Sequence, residues 1–129
     1  MLNDKLFILE SAMQDFPSFM KNPKNRIKQS SQHTDDIEGY VFDGVDGSQM
    51  ALWTCYSNKE STEHIHEYDE YVVCVFGKYT VKMNNKAFEL HPGGELYIPA
   101  GTSHSGSAVA GTRTIHAFGA QRAERELGC

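Results

Sequence analysis

Little in this chain points to covalent staples, membrane anchorage or a polyanionic partner. It has three cysteines in 129 residues, an odd number with no CxxC spacing, which argues against a disulfide framework or a cysteine zinc site. Cys55 and Cys74 are flanked by strand formers and read as buried small hydrophobes, while Cys129 is the terminal residue. No apolar stretch approaches the roughly 20 residues that span a bilayer. The opening MLNDKLFILE sets Asp4 and Glu10 around a short apolar patch and lacks a basic leader region or a small-residue cleavage site. The expectation is a cytoplasmic protein with no membrane partner. The formal net charge is −5, and the basic residues are scattered, so there is no footprint for nucleic acid.

What is present fits one globular domain with a single core: 40% of residues are hydrophobic and 22% charged. Asn3 or Asp4 can cap a helix, and Leu6, Leu9, Met13 and Phe16 recur at helical spacing. This predicts a short helix within residues 3–22, cut by Pro17 and Pro23. The following KNPKNRIKQSSQHTDD is polar and irregular, and its His33 reads as a solvated loop residue. From Tyr40 the character changes. Short runs rich in Val, Ile, Tyr, Phe and Thr alternate with turn clusters such as DGVDG, HPGG and AGT, and VKMNNKAF reads as a tight hairpin. About eight closely spaced strands predict an all-β sandwich or barrel. The expected organisation is an N-terminal helical arm and linker over 1–39, a β-barrel over 40–119, and a tail over 120–129 with a short helix.

The chemistry concentrates in EHIHEYDE, residues 63–70. On a helix His64 and His66 would point to nearly opposite sides, whereas on a strand they share a face, and Glu70 keeps the same parity. An isolated HxH is weak evidence in a chain with six histidines. The stretch GGELYIPAGTSHSG, residues 93–106, adds a strand ending at Pro99, a turn at Gly101 and then His104. A barrel can bring such a return strand beside the first, giving three imidazoles and a carboxylate on one site.

These two stretches resemble the motifs of the cupin superfamily. The first, G(X)5HXH(X)3,4E(X)6G, is matched by His64, His66, Glu70 and Gly77. The second, G(X)5PXG(X)2H(X)3N, is matched by Gly93, Pro99, Gly101 and His104. Asn58 stands where the first motif begins with Gly, and Asn tolerates left-handed backbone; Ala108 replaces the final Asn of the second. The resemblance covers roughly residues 50–118. It implies a small jelly-roll barrel, the RmlC-like double-stranded β-helix. Inside it, His64, His66, Glu70 and His104 would bind a divalent transition metal (Zn, Fe, Mn, Ni or Co). It also implies a small-molecule ligand or substrate and a homodimer.

Other residues are weighed against that frame. Glu63, Glu67 and Asp69 read as solvated charges, Trp53 as core, and His91 as an exposed turn residue. On the strand GTRTIHAFG, His116 shares a face with Thr112, Thr114 and Phe118, and two readings stand: a cavity-lining catalytic histidine, or a hydrogen-bonded core histidine. Tyr97 is the second catalytic candidate. Arg113 lies on the other face; were it to point inward, it would suit a carboxylate-bearing substrate. The leading expectation is a metal-dependent enzyme of dioxygenase, isomerase or epimerase, decarboxylase or lyase type. The alternative is a non-catalytic module that binds or senses a small molecule.

Overall fold

The computed structural model describes residues 13–127. Nine strands run through them: β1 (Ile37–Asp43), β2 (Gln49–Cys55), β3 (Lys59–Glu60), β4 (Glu70–Phe76), β5 (Tyr79–Met83), β6 (Lys86–Leu90), β7 (Glu95–Ile98), β8 (His104–Ala108) and β9 (Arg113–Phe118). They form two antiparallel sheets ordered β1-β2-β9-β4-β7 and β3-β8-β5-β6. This is the jelly-roll expected from the spacing of strand and turn signals. The ninth strand is the two-residue β3, too short to leave a sequence signal. At the hairpin β5–β6, Met83 pairs with Lys86, and both loop residues, Asn84 and Asn85, have φ above +50°. Asparagine bears that conformation better than most residues, and it matches the twist of the flanking strands.

Alternation along the strands sorts side chains between the inside and outside of the barrel. On β4, Glu70, Val72 and Cys74 are buried while Tyr71 is exposed. Val72 and Cys74 pack with Val81, Met83, Leu90 and Ile98 in one interior cluster. Ile27, Val41, Ala51, Trp53, Phe118 and Ala123 make another. Burying apolar side chains of this size contributes about 1.5–3 kcal/mol each. A third cluster, Phe16 with Tyr40 and Leu52, lies against Ile115.

Two expectations need correction. Residues 3–12 of the helix expected within 3–22 lie outside the described residues, and the described half holds only a 3-10 turn at Ser18–Met20. The tail forms no helix in residues 120–127. Instead it lies against the linker, with Ile27 bridged to Arg125 and Glu126 N–H donating to Arg26 O at 2.8 Å. Its helical composition is overridden by backbone pairing with the rest of the fold. No helix of the described residues is long and apolar enough to cross a membrane.

Candidate metal centre

His64 and His104 face each other in an isolated antiparallel bridge, with both backbone hydrogen bonds at 2.9 Å. His66 follows in an extended segment, not a regular strand, yet the alternation holds: Ile65 is 61% exposed, while His64 and His66 turn inward. Glu70 opens β4 and is buried. The structure thus brings all four sequence-selected residues together. The three imidazoles offer ligand atoms within 4.8 Å of one another. Glu70 Oε1 lies 3.0 Å from His66 Nε2 and 3.4 Å from His104 Nε2.

Hydrogen bonding decides which nitrogen of each ring is free. Nδ1 of His64 meets Thr62 O at 2.9 Å, Nδ1 of His66 meets Tyr68 O at 3.1 Å, and Nδ1 of His104 meets Thr102 O at 2.9 Å. A carbonyl oxygen can only accept, so each Nδ1 carries a proton and each ring, in its neutral form, presents its Nε2 lone pair to the common centre. Nε2 of His104 is buried with no hydrogen-bond partner among the described residues. Three Nε2 atoms and a carboxylate therefore converge, with His66 Nε2 at hydrogen-bond distance from Glu70 Oε1, and a cation held between them would satisfy all four groups at once. Imidazole and carboxylate donors suit first-row divalent metals, and carbonyl-tethered Nδ1–H groups are the usual support for histidine ligands. The residues fit a metal.

Electrostatics tie Glu70 to the histidines beside it. Burial alone would raise the Glu70 pKa, but hydrogen bonding and charge from His104 and His116 outweigh it and hold the carboxyl well below its ordinary range. Burial lowers the His104 pKa, and Glu70 beside it more than compensates, so the net shift is upward. Burial dominates at His64 and pushes it down.

A cavity of about 90 Å³ opens on this cluster. Its walls include Trp53, Cys55, Tyr79, Thr114, His116 and Phe118. His116 is 5% exposed; Nδ1 lies 2.7 Å from Glu70 Oε2 and Nε2 lies 3.0 Å from Thr114 Oγ1. A neutral ring donating from Nδ1 and accepting from the Thr114 hydroxyl satisfies both contacts. Trp53 is a core residue, as expected, and also a cavity wall, with Nε1 donating to Gln32 Oε1 at 2.9 Å. Cys55 and Cys74 are buried free thiols. Glu63, Glu67 and Asp69 are exposed.

Several positions differ from the sequence reading. Tyr97 pairs with Tyr71 across β4 and β7, shares its outward face and is 56% exposed, so it is not among the residues lining the cavity. Arg113 also points outward. Its guanidinium lies between the rings of Phe16 and Phe76, 5.1 and 5.5 Å from their centroids. Asn58 is not left-handed; its side-chain Oδ1 accepts from Ala110 N at 2.8 Å, fastening the loop before β9. His33 is exposed, as a loop residue was expected to be, but it also reaches back from the linker to stack on His64, 3.9 Å between centroids. Burial first, then the charge of Arg122, pushes its pKa down to about 4. Neither His33 nor Arg122 carried a sequence signal, because their places come from the linker and tail folding over the barrel mouth.

The cupin domain family model matches residues 51–118, more than half of the chain. The chain is a cupin. No curated protein matches its sequence, but many solved structures share its fold. An RmlC-like cupin from Shewanella frigidimarina NCIMB 400 superposes with TM-score 0.68 at 16% identity, over 85% of this chain and 96% of that one. KdgF from Halomonas sp. gives 0.64 at 19% identity, over 74% and 93%. A chain from the crystal structures of the DMSP lyases RdDddP and RnDddQII gives 0.57 at 16%, over 64% of this cupin and 46% of that chain. At these identities the likeness is one of fold, and the site must be argued from its own residues.

Proposed function

We propose that this cupin is a metal-dependent enzyme acting on a small molecule, with His64, His66, Glu70 and His104 holding one divalent transition metal. The observation that carries this reading is the convergence of three imidazole nitrogens within 4.8 Å of one another, with the Glu70 carboxylate beside them and His104 Nε2 buried without a hydrogen-bond partner among the described residues. When bound, Zn, Fe, Mn, Ni or Co would supply Lewis acidity and open coordination positions for a ligand.

The chain's own residues do the rest. His116 and Thr114 hold the Glu70 carboxylate in place. Trp53 and Phe118 exclude water from one side of the cavity, and Tyr79 presents a phenol whose pKa burial raises, keeping it a proton donor at neutral pH. His116, expected as a catalytic histidine, is proposed instead as a positioning residue for Glu70, since both of its nitrogens are engaged. Occurrence of the fold in the DMSP lyases is consistent with lyase chemistry on a small substrate.

Assembly is proposed from the sheet edge. Strand β7 ends the five-stranded sheet, and outward Tyr71 and Tyr97 beside it are 38% and 56% exposed. An open edge flanked by aromatic surface supports a homodimer; light scattering that finds only monomer at micromolar concentration removes it.

The test of the metal centre is elemental analysis of protein purified without added metal, with His66→Ala and His104→Ala alongside. About one metal per chain in the parent and none in the variants is expected; full retention in both variants overturns the assignment. Metal-loaded protein is then screened for turnover of small carbonyl compounds and sugar acids. Binding without turnover across the panel supports the non-catalytic module instead.

A further inference from the structure

Arg122 is a cavity-lining cation whose charge is not matched by any acidic partner among the described residues. The other arginines near the tail differ: Arg26 pairs with Glu38 and Glu126, and Arg125 pairs with Asp43 at 2.9 Å. Arg122 instead borders the same cavity as His64, Glu70 and His104.

It is held there at both ends. Its backbone N–H donates to Gln49 Oε1 at 2.6 Å, and Ala123 N–H donates to the same oxygen at 2.9 Å. Nη1 donates to Ser31 O. The guanidinium lies over Trp53 and Phe118, 5.4 and 5.7 Å from their centroids, a contact that favours the cation and restrains its plane. One of its five N–H donors is thereby accounted for, while Nε and Nη2 make no hydrogen bond to the described residues and are not fully buried, on a residue that lines the cavity. Burial lowers the Arg122 pKa, with Tyr68, Glu70 and Tyr79 opposing, yet a guanidinium remains charged at neutral pH.

Charge counting gives the ligand's sign. Arg122 brings one positive charge to the cavity wall without an ion-pair partner among the described residues, so a ligand group carrying one negative charge would meet it between low-dielectric walls. A planar fork on a single cation matches a carboxylate, which can take two parallel N–H bonds. A phosphate dianion would bring two charges to this one arginine, with the Glu70 carboxylate on the same cavity wall. The volume of about 90 Å³ and the apolar faces of Ile37, Trp53 and Phe118 restrict the body of the ligand to a few carbons.

We infer that Arg122 anchors the carboxylate of a small monocarboxylic substrate or ligand, leaving its other polar end toward the histidine cluster. The role that Arg113 would have had if it faced inward falls to a residue of the tail. This inference rests on the proposed metal centre only for the destination of that far end.

The test is calorimetric titration of zinc-loaded and metal-stripped protein with pyruvate and lactate, with pyruvamide and lactamide as neutral counterparts and inorganic phosphate as a second anion. Acids binding at least tenfold tighter than amides is expected, with the preference lost in Arg122→Gln, partly kept in Arg122→Lys, and metal content unchanged in both. An acid preference that survives Arg122→Gln belongs to the metal and overturns the inference. Equal binding of acids and amides, tighter binding of phosphate, or no binding of either acid at millimolar concentration also overturns it. If Arg122→Gln fails to fold, the acid–amide comparison in the parent and Arg122→Lys decides. Arg122-dependent binding by protein that takes up no metal would uphold the anchor while removing the metal centre; metal uptake without acid binding would do the reverse.

Discussion

His116 reaches diagonally across two strands to Glu70, Nδ1 to Oε2 at 2.7 Å. The register makes this possible: Glu70 stands opposite Phe118 and Val72 opposite His116, so the two side chains are same-face neighbours one step apart along the ladder. With Oε2 taken by His116, Oε1 is the oxygen turned to His66 and His104. His116 is thus a positioning residue for a ligand. His116→Phe is expected to weaken metal affinity about 10–100-fold, the usual cost of removing such a support. His116→Gln, which retains a donor, should recover most of it. Competition with a chromophoric chelator reads both; equal affinity in His116→Phe and the parent would remove the positioning role.

Acid sensitivity should have a source far from the metal. Glu38 accepts from the Tyr40 and Tyr56 hydroxyls and from Arg26 Nη1 at 3.2 Å. Burial would raise its pKa, but the two phenols and then the charges of Lys21 and Arg26 outweigh that and depress it. A depressed folded-state pKa contributes stability that is present above the unfolded value and lost as pH falls through the folded one. Glu38→Gln is expected to cost about 2 kcal/mol at pH 7, and the gap should close as pH falls from about 5 toward 3. Urea unfolding as pH is lowered measures it, and a gap that never narrows down to the acid unfolding of the parent would show that the contribution is not ionic.

The part of the site that could be read from the chain was the part written at short, regular spacing. His64, His66 and Glu70 fall on one parity, and His104 follows a Pro and Gly turn, so local geometry and motif together specify them. The barrel was legible for the same reason, because alternation and turn chemistry are local. Residues placed by long-range packing were not. Arg122 and His33 arrive from segments with no periodicity, and Gln32 finds Trp53 across 21 positions. Tyr97 looked available because it lies between apolar residues; only pairing with Tyr71 fixes its outward face. The tail misled because its composition favours a helix, while linker hydrogen bonds such as Lys28 N–H to Glu124 O at 2.9 Å hold it extended.

One glycine on β8 sets the shape of the cavity. A Cβ at Gly106 would run into the Tyr79 hydroxyl and ring, and Tyr79 lines the cavity with its ring centroid 5.6 Å from that of His116. Gly106→Ala must push the phenol toward His116 or bend the strand. Overpacking of this kind costs about 1–3 kcal/mol. Combining it with Tyr79→Phe, which removes the first atom in the way, should return part of that loss. Thermal or urea unfolding of the single and double variants forms a cycle, and strictly additive losses would mean the two side chains do not meet.

The outer face of the β1-β2-β9 sheet should be separable from the site inside. Phe16 is 7% exposed, packed against Tyr40 and Leu52, and its ring carries the Arg113 guanidinium at 5.1 Å. Arg113 Nη2 also donates to Met13 O at 3.1 Å, so the segment before β1 is tied down by one aromatic ring and one arginine. Phe16→Ala removes apolar burial and uncovers a cation that the fold has desolvated. A loss of about 3–4 kcal/mol is expected, within the range for a buried phenylalanine. Because His64, His66, Glu70 and His104 turn to the opposite side of the sheet, metal stoichiometry should not change in conditions where the variant stays folded. Elemental analysis after gel filtration checks this beside the unfolding curve. Metal lost from folded Phe16→Ala would mean that the outer layer shapes the site through the sheet, and that β9, which bears Arg113 on one face and His116 on the other, is what transmits the change.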